Sequence, residues 1–389
     1  MNSDCAGDDE AGGDRSPVDT AQRDRTPLVV DLDGTLIRGD SLWEGLFSLP
    51  KVSLPAFLAA CMAVLGGRAA LKRAVAARRT PVFEQFCFNR EVVEFVKWQA
   101  ADRPVILATA ANERVAAVIA EGLGVFSLVI ASGEANRKAA EKLAALKLRL
   151  KEHGLGDEFD YIGDNIADRV LWTEARHAYV VAISDSAAAR LTDGVRIARR
   201  FERPGLAVRD AIFALRPFRW LVILAVFLPI LAAGGAKDGA WSQAFAAYLS
   251  LCLLASAAGL LDDILDIHED RAATKPRRRV FAEGLVEIPV GVSIALAMLA
   301  LGFGIAISSL TPSVTALIGG CFASAIAYSI FIRPRRWTSA AFHGALGAVL
   351  ITIGAQVAQA PIPWRLVMAG AAIFSAIGYI GAARKPGRG

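Results

Sequence analysis

Eight aspartates in this 389-residue chain fall into two groups whose types and spacing could do chemistry. The first group begins in "PLVVDLDGTL", where the run Leu28–Val30 leads into Asp31, Asp33, Gly34 and Thr35. A β-branched run ending in a glycine-bearing turn presents side chains at the carboxyl edge of a strand. Two carboxylates two residues apart point the same way there. They can share a hard cation such as Mg²⁺ while one stays free to act as a nucleophile. Asp164 and Asp168, in "FDYIGDNIAD", follow a second strand end. The other group lies in "LLDDILDIHEDRAATKPRRR". Asp263, Asp266 and Asp270 have the helical spacing i, i+3, i+7 and share a face, with Asp262 adjacent. Like charges so placed repel one another. A divalent cation removes that penalty and bridges to phosphate, and the bases that follow, Lys275 and Arg278 among them, could grip a diphosphate. The plainer reading is a solvated acidic loop followed by bases that set membrane topology.

The elements that must position the first group alternate. Strand-like runs end at Thr109 ("PVILATAAN"), at Ser132 ("FSLVIAS") and before Asp164. Helical patterns cover residues 112–122, about 136–152 and 166–175. Alternation of this kind predicts a mostly parallel α/β sheet with its active groups at one edge. Residues 38–104 form a mainly helical insertion, in which Trp43 and Phe47 either line a cleft or pack as an i, i+4 core pair.

The second half is different in kind. Hydrophobic residues make up 54% of the chain and charged ones 21%, but long apolar runs begin only after Phe218. Six of them, at about 219–235, 241–261, 286–309, 312–332, 339–358 and 363–383, predict an all-α bundle of about six membrane-spanning helices. Bases follow the second, fourth and sixth runs, and the alternate loops are nearly bare. The positive-inside rule then places the soluble half and both termini in the cytoplasm of an inner-membrane protein. Residues 201–218 read as a basic linker suited to an anionic leaflet. The net charge of +5 comes without a basic stripe interleaved with aromatics, which argues against a nucleic-acid partner. Five scattered cysteines argue against a disulfide framework or a zinc site. Residues 1–26 and 384–389 read as tails, the first disordered and without the apolar core of a signal peptide.

The motifs of the first half resemble those of the haloacid dehalogenase superfamily. "DLDGT", Thr109 after "VILA", Lys138 in "NRKAAEK" and "GDNIAD" stand in that family's order over about residues 27–200. The resemblance implies a Rossmann-like phosphatase domain whose cap is the insertion 38–104. It implies Asp31 as nucleophile and Asp33 as general acid and base. Asp31, Asp33 (through its carbonyl), Asp164 and Asp168 would serve Mg²⁺, and Thr109 and Lys138 would bind phosphate.

The second half resembles the UbiA superfamily of membrane prenyltransferases. Asp262-Asp263-Ile-Leu-Asp266-Ile-His-Glu-Asp270 stands for its N-D-x-x-D-x-x-x-D motif, and "LRPFRW", "KPRRRVFAEG" and "AYSIFIRPRRW" match further pieces over about residues 214–383. The resemblance implies Mg²⁺ and a polyprenyl (di)phosphate held by Asp262, Asp263, Asp266, Asp270, Lys275 and Arg278, with a small phosphorylated acceptor. It departs from the family in helix number, about six against nine. It also lacks a second aspartate-rich motif, since no Asp or Glu follows Glu287. This points to a shortened bundle, whose site a homo-oligomer could complete. The expectation is a prenyltransferase-like membrane domain fused to a phosphatase. The alternative is a membrane-anchored phosphatase whose second half only binds lipid. His343, within a span, and His268, in the acidic loop, carry weaker signals.

Overall fold

A computed structural model describes residues 26–131, 139–191, 194–233, 239–273, 279–332 and 335–383. Both predicted tails lie outside these residues, Thr26 excepted, as do Lys138, Lys275 and Arg278.

The first half is built on six parallel strands in the order β3-β2-β1-β4-β5-β6. They are β1 (Leu28–Val30), β2 (Val105–Thr109), β3 (Leu128–Ala131), β4 (Asp160–Gly163), β5 (Ala178–Val181) and β6 (Ile197–Phe201). Sequence patterning found the first four. The last carries two adjacent arginines, Arg199 and Arg200, at the sheet edge, which breaks the signal of a buried run. Strand order reverses between β2-β1 and β1-β4, so a crevice opens beyond the carboxyl ends of β1 and β4.

Helices α1 (Ser41–Val52), α2 (Leu54–Ala63) and α3 (Gly67–Ala76) stand over that crevice as a cap with its own core of Leu42, Leu46, Leu49, Ala60, Leu71 and Val75. Asp40 caps α1 by accepting the N–H groups of Leu42 and Trp43. The remainder of the predicted insertion divides off: α4 (Arg90–Ala100) buries Val92, Phe95 and Val96 against the sheet. Helices α5 (Glu113–Leu123), α6 (Ala139–Glu152), α7 (Arg169–Glu174) and α8 (Asp185–Leu191) link the strands.

At the opposite end of the sheet, Asp160 is buried among Arg103, Arg176 and the His177 N–H. Burial works to raise its pKa, but bonds from Arg176 and Arg103 outweigh it and hold the carboxyl below its ordinary value. Its contribution to stability is therefore full above the unfolded pKa of about 4 and is lost as pH falls through the lower folded value. Acid titrations followed by tryptophan fluorescence should show a shallower acid limb in Asp160→Asn.

In the second half, α9 (Val208–Ala214), α10 (Phe218–Ile223) and α11 (Leu228–Ala232) form one broken element. The break falls at Arg216, which has φ 54°, before Pro217. A non-glycine residue there is strained, and proline disfavours helix in the residue before it. Then come α12 (Ala240–Leu265), α13 (Ile267–Arg271), α14 (Ile288–Ser309), α15 (Pro312–Phe331), α16 (Arg336–Val357) and α17 (Trp364–Ala383). Helix α12 is the most enclosed and packs against α14, α15 and α16. The Val226 carbonyl meets α16 at Gly354, where any Cβ would collide with it. Such close approach is typical of membrane helix packing.

Among the described residues, seven helical stretches are long and apolar enough to cross a bilayer. Six are the expected ones, the first beginning at Val208 rather than near 219. The seventh, Leu54–Ala76, lies in the cap, where a turn at Gly67 (φ 85°) separates α2 from α3.

Candidate active sites and their junction

Asp31 and Asp33 sit just past β1, Thr109 ends β2, and Asp164 follows β4. Asp31, Asp164 and Asp168 come together so that one carboxylate oxygen from each lies within 4.8 Å of the others. Three hard oxygens around one point suit Mg²⁺. The electrostatics agree. Burial, then the Asp31 charge, push Asp164 up to about 7. Asp168 is pushed up to about 6 by burial, with Lys142 opposing. A divalent cation relieves such crowding.

Asp33 is set apart from this trio by the cap. Its Oδ1 accepts the Ser41 N–H at 2.8 Å, so the start of α1 orients it. Burial first, then Asp40, push its carboxyl up to about 8, with Asp31 adding to the rise. Burial thus favours the protonated form of Asp33, which suits a general acid. Thr109 is buried, and its Oγ1 accepts the Ala111 N–H at 2.9 Å.

Lys142, which the sequence reading did not single out, reaches this site, while the expected Lys138 lies outside the described residues. From α6, its Nζ donates to Asp31 Oδ1 at 2.9 Å and to the Tyr161 hydroxyl at 2.9 Å, and it lies 3.7 Å from Asp168. Burial opposes its charge, but Asp31 and Asp168 prevail and raise its pKa. Arg203, past β6, also reaches in: it donates to the Gly34 carbonyl and lies 3.7 Å from Asp164. Gly34 has φ 78°, and a Cβ there would collide with the Asp164 carboxylate. Gly34→Ala should thus displace Asp164. We expect the Mg²⁺ concentration for half-maximal hydrolysis to rise about tenfold or more.

The second aspartate group does not share one helix face. Helix α12 ends at Leu265, and Asp266 separates it from α13. Asp262 accepts from Arg216 at 3.0 Å and from the Ser329 hydroxyl at 2.5 Å. Asp263 bonds to Arg216 and Arg279, and Arg279 also reaches Asp270 at 3.1 Å. Asp266 turns away and pairs with Lys51 of the cap. Among the described residues, these four aspartates do not converge as a metal site. Ser329 lies in the quoted "AYSIF" stretch, and the strained Arg216 in "LRPFRW".

The two halves meet along α1 and α13. Trp43 and Phe47 stack at 6.3 Å and pack both into the cap core and against the cluster of Leu260, Ile264 and Phe281. Glu44 and Arg271 form a buried two-pronged ion pair at 2.7 and 2.9 Å. His268 lines the cleft between cap and sheet. Burial first holds it down, to about 4. His343 stays within the bundle, its Nδ1 2.7 Å from the Ser339 carbonyl.

The haloacid dehalogenase-like hydrolase family model matches residues 28–188, and the UbiA prenyltransferase family model matches residues 221–385. The chain joins a haloacid dehalogenase-like domain to a UbiA domain. "Uncharacterized protein y4nM" of Sinorhizobium fredii (strain NBRC 101917 / NGR234) is 30% identical over 335 residues, covering 85% of this chain and 64% of that protein. "Nodulation protein NoeC" of Azorhizobium caulinodans is 28% identical over 167 residues, 43% of this chain and 52% of that one. The chain thus spans less than two thirds of the length of either relative. Among solved structures, phosphoserine phosphatase in apo form is 14% identical over 46% of this chain and 94% of its own, with a TM-score of 0.33. A protein of unknown function from Bordetella pertussis Tohama I is 19% identical over 44% and 97%, with a TM-score of 0.36. Within the haloacid dehalogenase-like domain, Asp31, Asp33, Thr109 and Asp164 stand on adjacent strand ends, and Lys142 and Asp168 close the site from the helices. The UbiA domain carries its aspartates paired with bases of this same chain.

Proposed function

We propose that the haloacid dehalogenase-like domain is a Mg²⁺-dependent phosphomonoesterase working on a membrane-associated substrate. In this reading the UbiA domain binds a polyprenyl (di)phosphate and transfers its prenyl chain to a small phosphorylated acceptor. The observation that carries the phosphatase half is the convergence of Asp31, Asp164 and Asp168 with Lys142. Asp31 attacks phosphorus, the bond to the ester oxygen breaks, and Asp33 gives its proton to the departing oxygen. Water then attacks the aspartyl-phosphate, its proton passes to Asp33, and Asp31 is released with phosphate. Lys142 and the Thr109 region hold the phosphoryl oxygens. When bound, Mg²⁺ would neutralise charge on the transferring group, held by Asp31, Asp164 and Asp168.

For the UbiA domain the base-paired aspartates support a second reading, in which it binds the lipid without transferring the chain. Prenyl transfer by the full chain in nanodiscs, with polyprenyl phosphates and diphosphates as donors, separates the two. Transfer lost in Asp263→Ala/Asp266→Ala supports the transferase. Asp31-dependent phosphate release with no transfer supports the anchored phosphatase. The bases after alternate spans support a cytoplasmic phosphatase domain, which labelling of an exposed lysine such as Lys97 from either side of sealed vesicles would test.

A further inference from the structure

The cap carries an apolar surface that its own core does not use. From Val52 to Gly67 the chain holds no charged residue. Helix α2 turns Phe57, Ala60 and Cys61 to the cap core. Its other face, continued into the turn that follows, presents Leu58, Met62 and Leu65 at spacing i, i+4, i+7, and these are 56%, 65% and 83% exposed. Single exposed apolar side chains are ordinary, but a contiguous row of large ones marks a binding surface. The residues beyond the row are basic. Arg68, Arg73 and Arg78 are exposed on or just past α3, and no Asp or Glu lies between Glu44 and Glu84. The row begins where the cap meets the membrane bundle. Helix α1 packs against α12, α14 and α15. Lys51, in its last turn, pairs with Asp266 at the end of α12, and α2 begins at Leu54. With ten residues, α2 is about 15 Å long, half of a hydrocarbon core of about 30 Å. It is long enough to lie in one leaflet and too short to cross. After the turn at Gly67, Leu71 and Val75 of α3 rejoin the cap core.

We propose that α2 and the turn to α3 form an interfacial anchor. Leu58, Met62 and Leu65 enter the leaflet facing the phosphatase domain, and the bases on and after α3 meet anionic phospholipid headgroups. An apolar helix face flanked by bases, at the boundary of a membrane bundle, has the chemistry that such a surface binds. The cap is then held by two contacts, the junction with α13 and the bilayer itself. Lys72, Val75 and Ala76 of α3 line the cleft together with Asp33. The element next to the headgroups is thus also a wall of that cleft. On the phosphatase reading above, this favours a phosphomonoester carried by a lipid.

The test uses the full chain in nanodiscs of phosphatidylcholine and phosphatidylglycerol, with a trace of phospholipid bearing a diazirine in its acyl chain. After illumination, lipid adducts are mapped by mass spectrometry, with the peptides of α14 and α17 as the positive control. The peptide holding Leu58–Leu65 should carry adducts. Leu58→Ser/Met62→Ser/Leu65→Ser, which changes only exposed side chains, should lower their yield about fivefold or more while α14 and α17 keep theirs. Replacing phosphatidylglycerol by phosphatidylcholine should lower it about twofold or more, and a yield indifferent to that exchange would overturn the headgroup contact. Adducts on α14 and α17 with none on the Leu58–Leu65 peptide overturn the anchor. Adducts running through α3 to Ala76 do so too, since they mean a crossing helix. Cross-links from this peptide to a second copy of the chain, in place of lipid, assign the face to a dimer and also overturn it. None of these readouts requires hydrolysis, so the phosphatase reading stands or falls separately.

Discussion

Asp31→Asn should lower Mg²⁺-dependent phosphate release by the full chain about 10³-fold or more, which is roughly 4 kcal/mol of barrier. The amide cannot attack phosphorus. The substitution also replaces one of the three carboxylates of the cluster, the one that accepts from Lys142, with a neutral amide. Two companions sharpen the result. Lys142→Met should cost about 10²-fold, since it removes the buried cation that faces the phosphoryl oxygens. Asp33→Asn should cost about 10²- to 10⁴-fold, the usual worth of a positioned acid. The acid must carry its proton when the ester bond breaks. With Asp33 pushed up to about 8, phosphoenzyme formation should decline as pH rises through that value. Rapid-quench phosphoenzyme formation from an alkyl phosphomonoester, whose alkoxide must be protonated to leave, checks this sign between pH 6 and 9. A limb that rises through pH 8 would remove Asp33 from the donor role.

Glu44→Ala carries the largest expected effect outside the chemistry. Glu44 and Arg271 are both buried at the junction. Removing one partner of a buried pair leaves an uncompensated charge and typically costs about 3–5 kcal/mol. The cap should loosen from α13, and hydrogen exchange should rise in α1 and in Ile267–Arg271. Glu44→Gln, which keeps the shape and a hydrogen bond, should lose less. Exchange unchanged in both segments would mean that the apolar contacts of Trp43 and Phe47 hold the junction alone.

Much of this site could be read from local pattern. Asp31, Asp33, Thr109 and Asp164 each follow a short apolar run, and a run of that kind in an α/β chain can end only at one sheet edge. Lys142 was harder. It lies one turn after Lys138 in the same basic stretch, and helix periodicity alone does not say which turn faces the edge. Packing of Leu146 and Leu150 against the sheet decides the phase. The helical spacing of Asp263, Asp266 and Asp270 suggested one shared face, but helix α12 stops within the motif and Asp266 leaves for Lys51. Lys51, Arg203, Arg216 and His268 act through contacts between segments far apart in the chain. No periodicity encodes such contacts. Only Arg216 carried a local hint, the proline that follows it. The six membrane helices were legible because bilayer thickness fixes their length. The apolar stretch Leu54–Ala76 shows the limit of that rule, since the turn at Gly67 folds it into a cap.

The most direct test is to trap the covalent intermediate. The full chain in nanodiscs, mixed with Mg²⁺ and a hydrolysed phosphomonoester and quenched in acid within milliseconds, is digested and mapped by mass spectrometry. Phosphate on the peptide containing Asp31, absent in Asp31→Asn and accumulating in Asp33→Asn with an activated ester, is the predicted result. Turnover without phosphate on Asp31 at any quench time would contradict it.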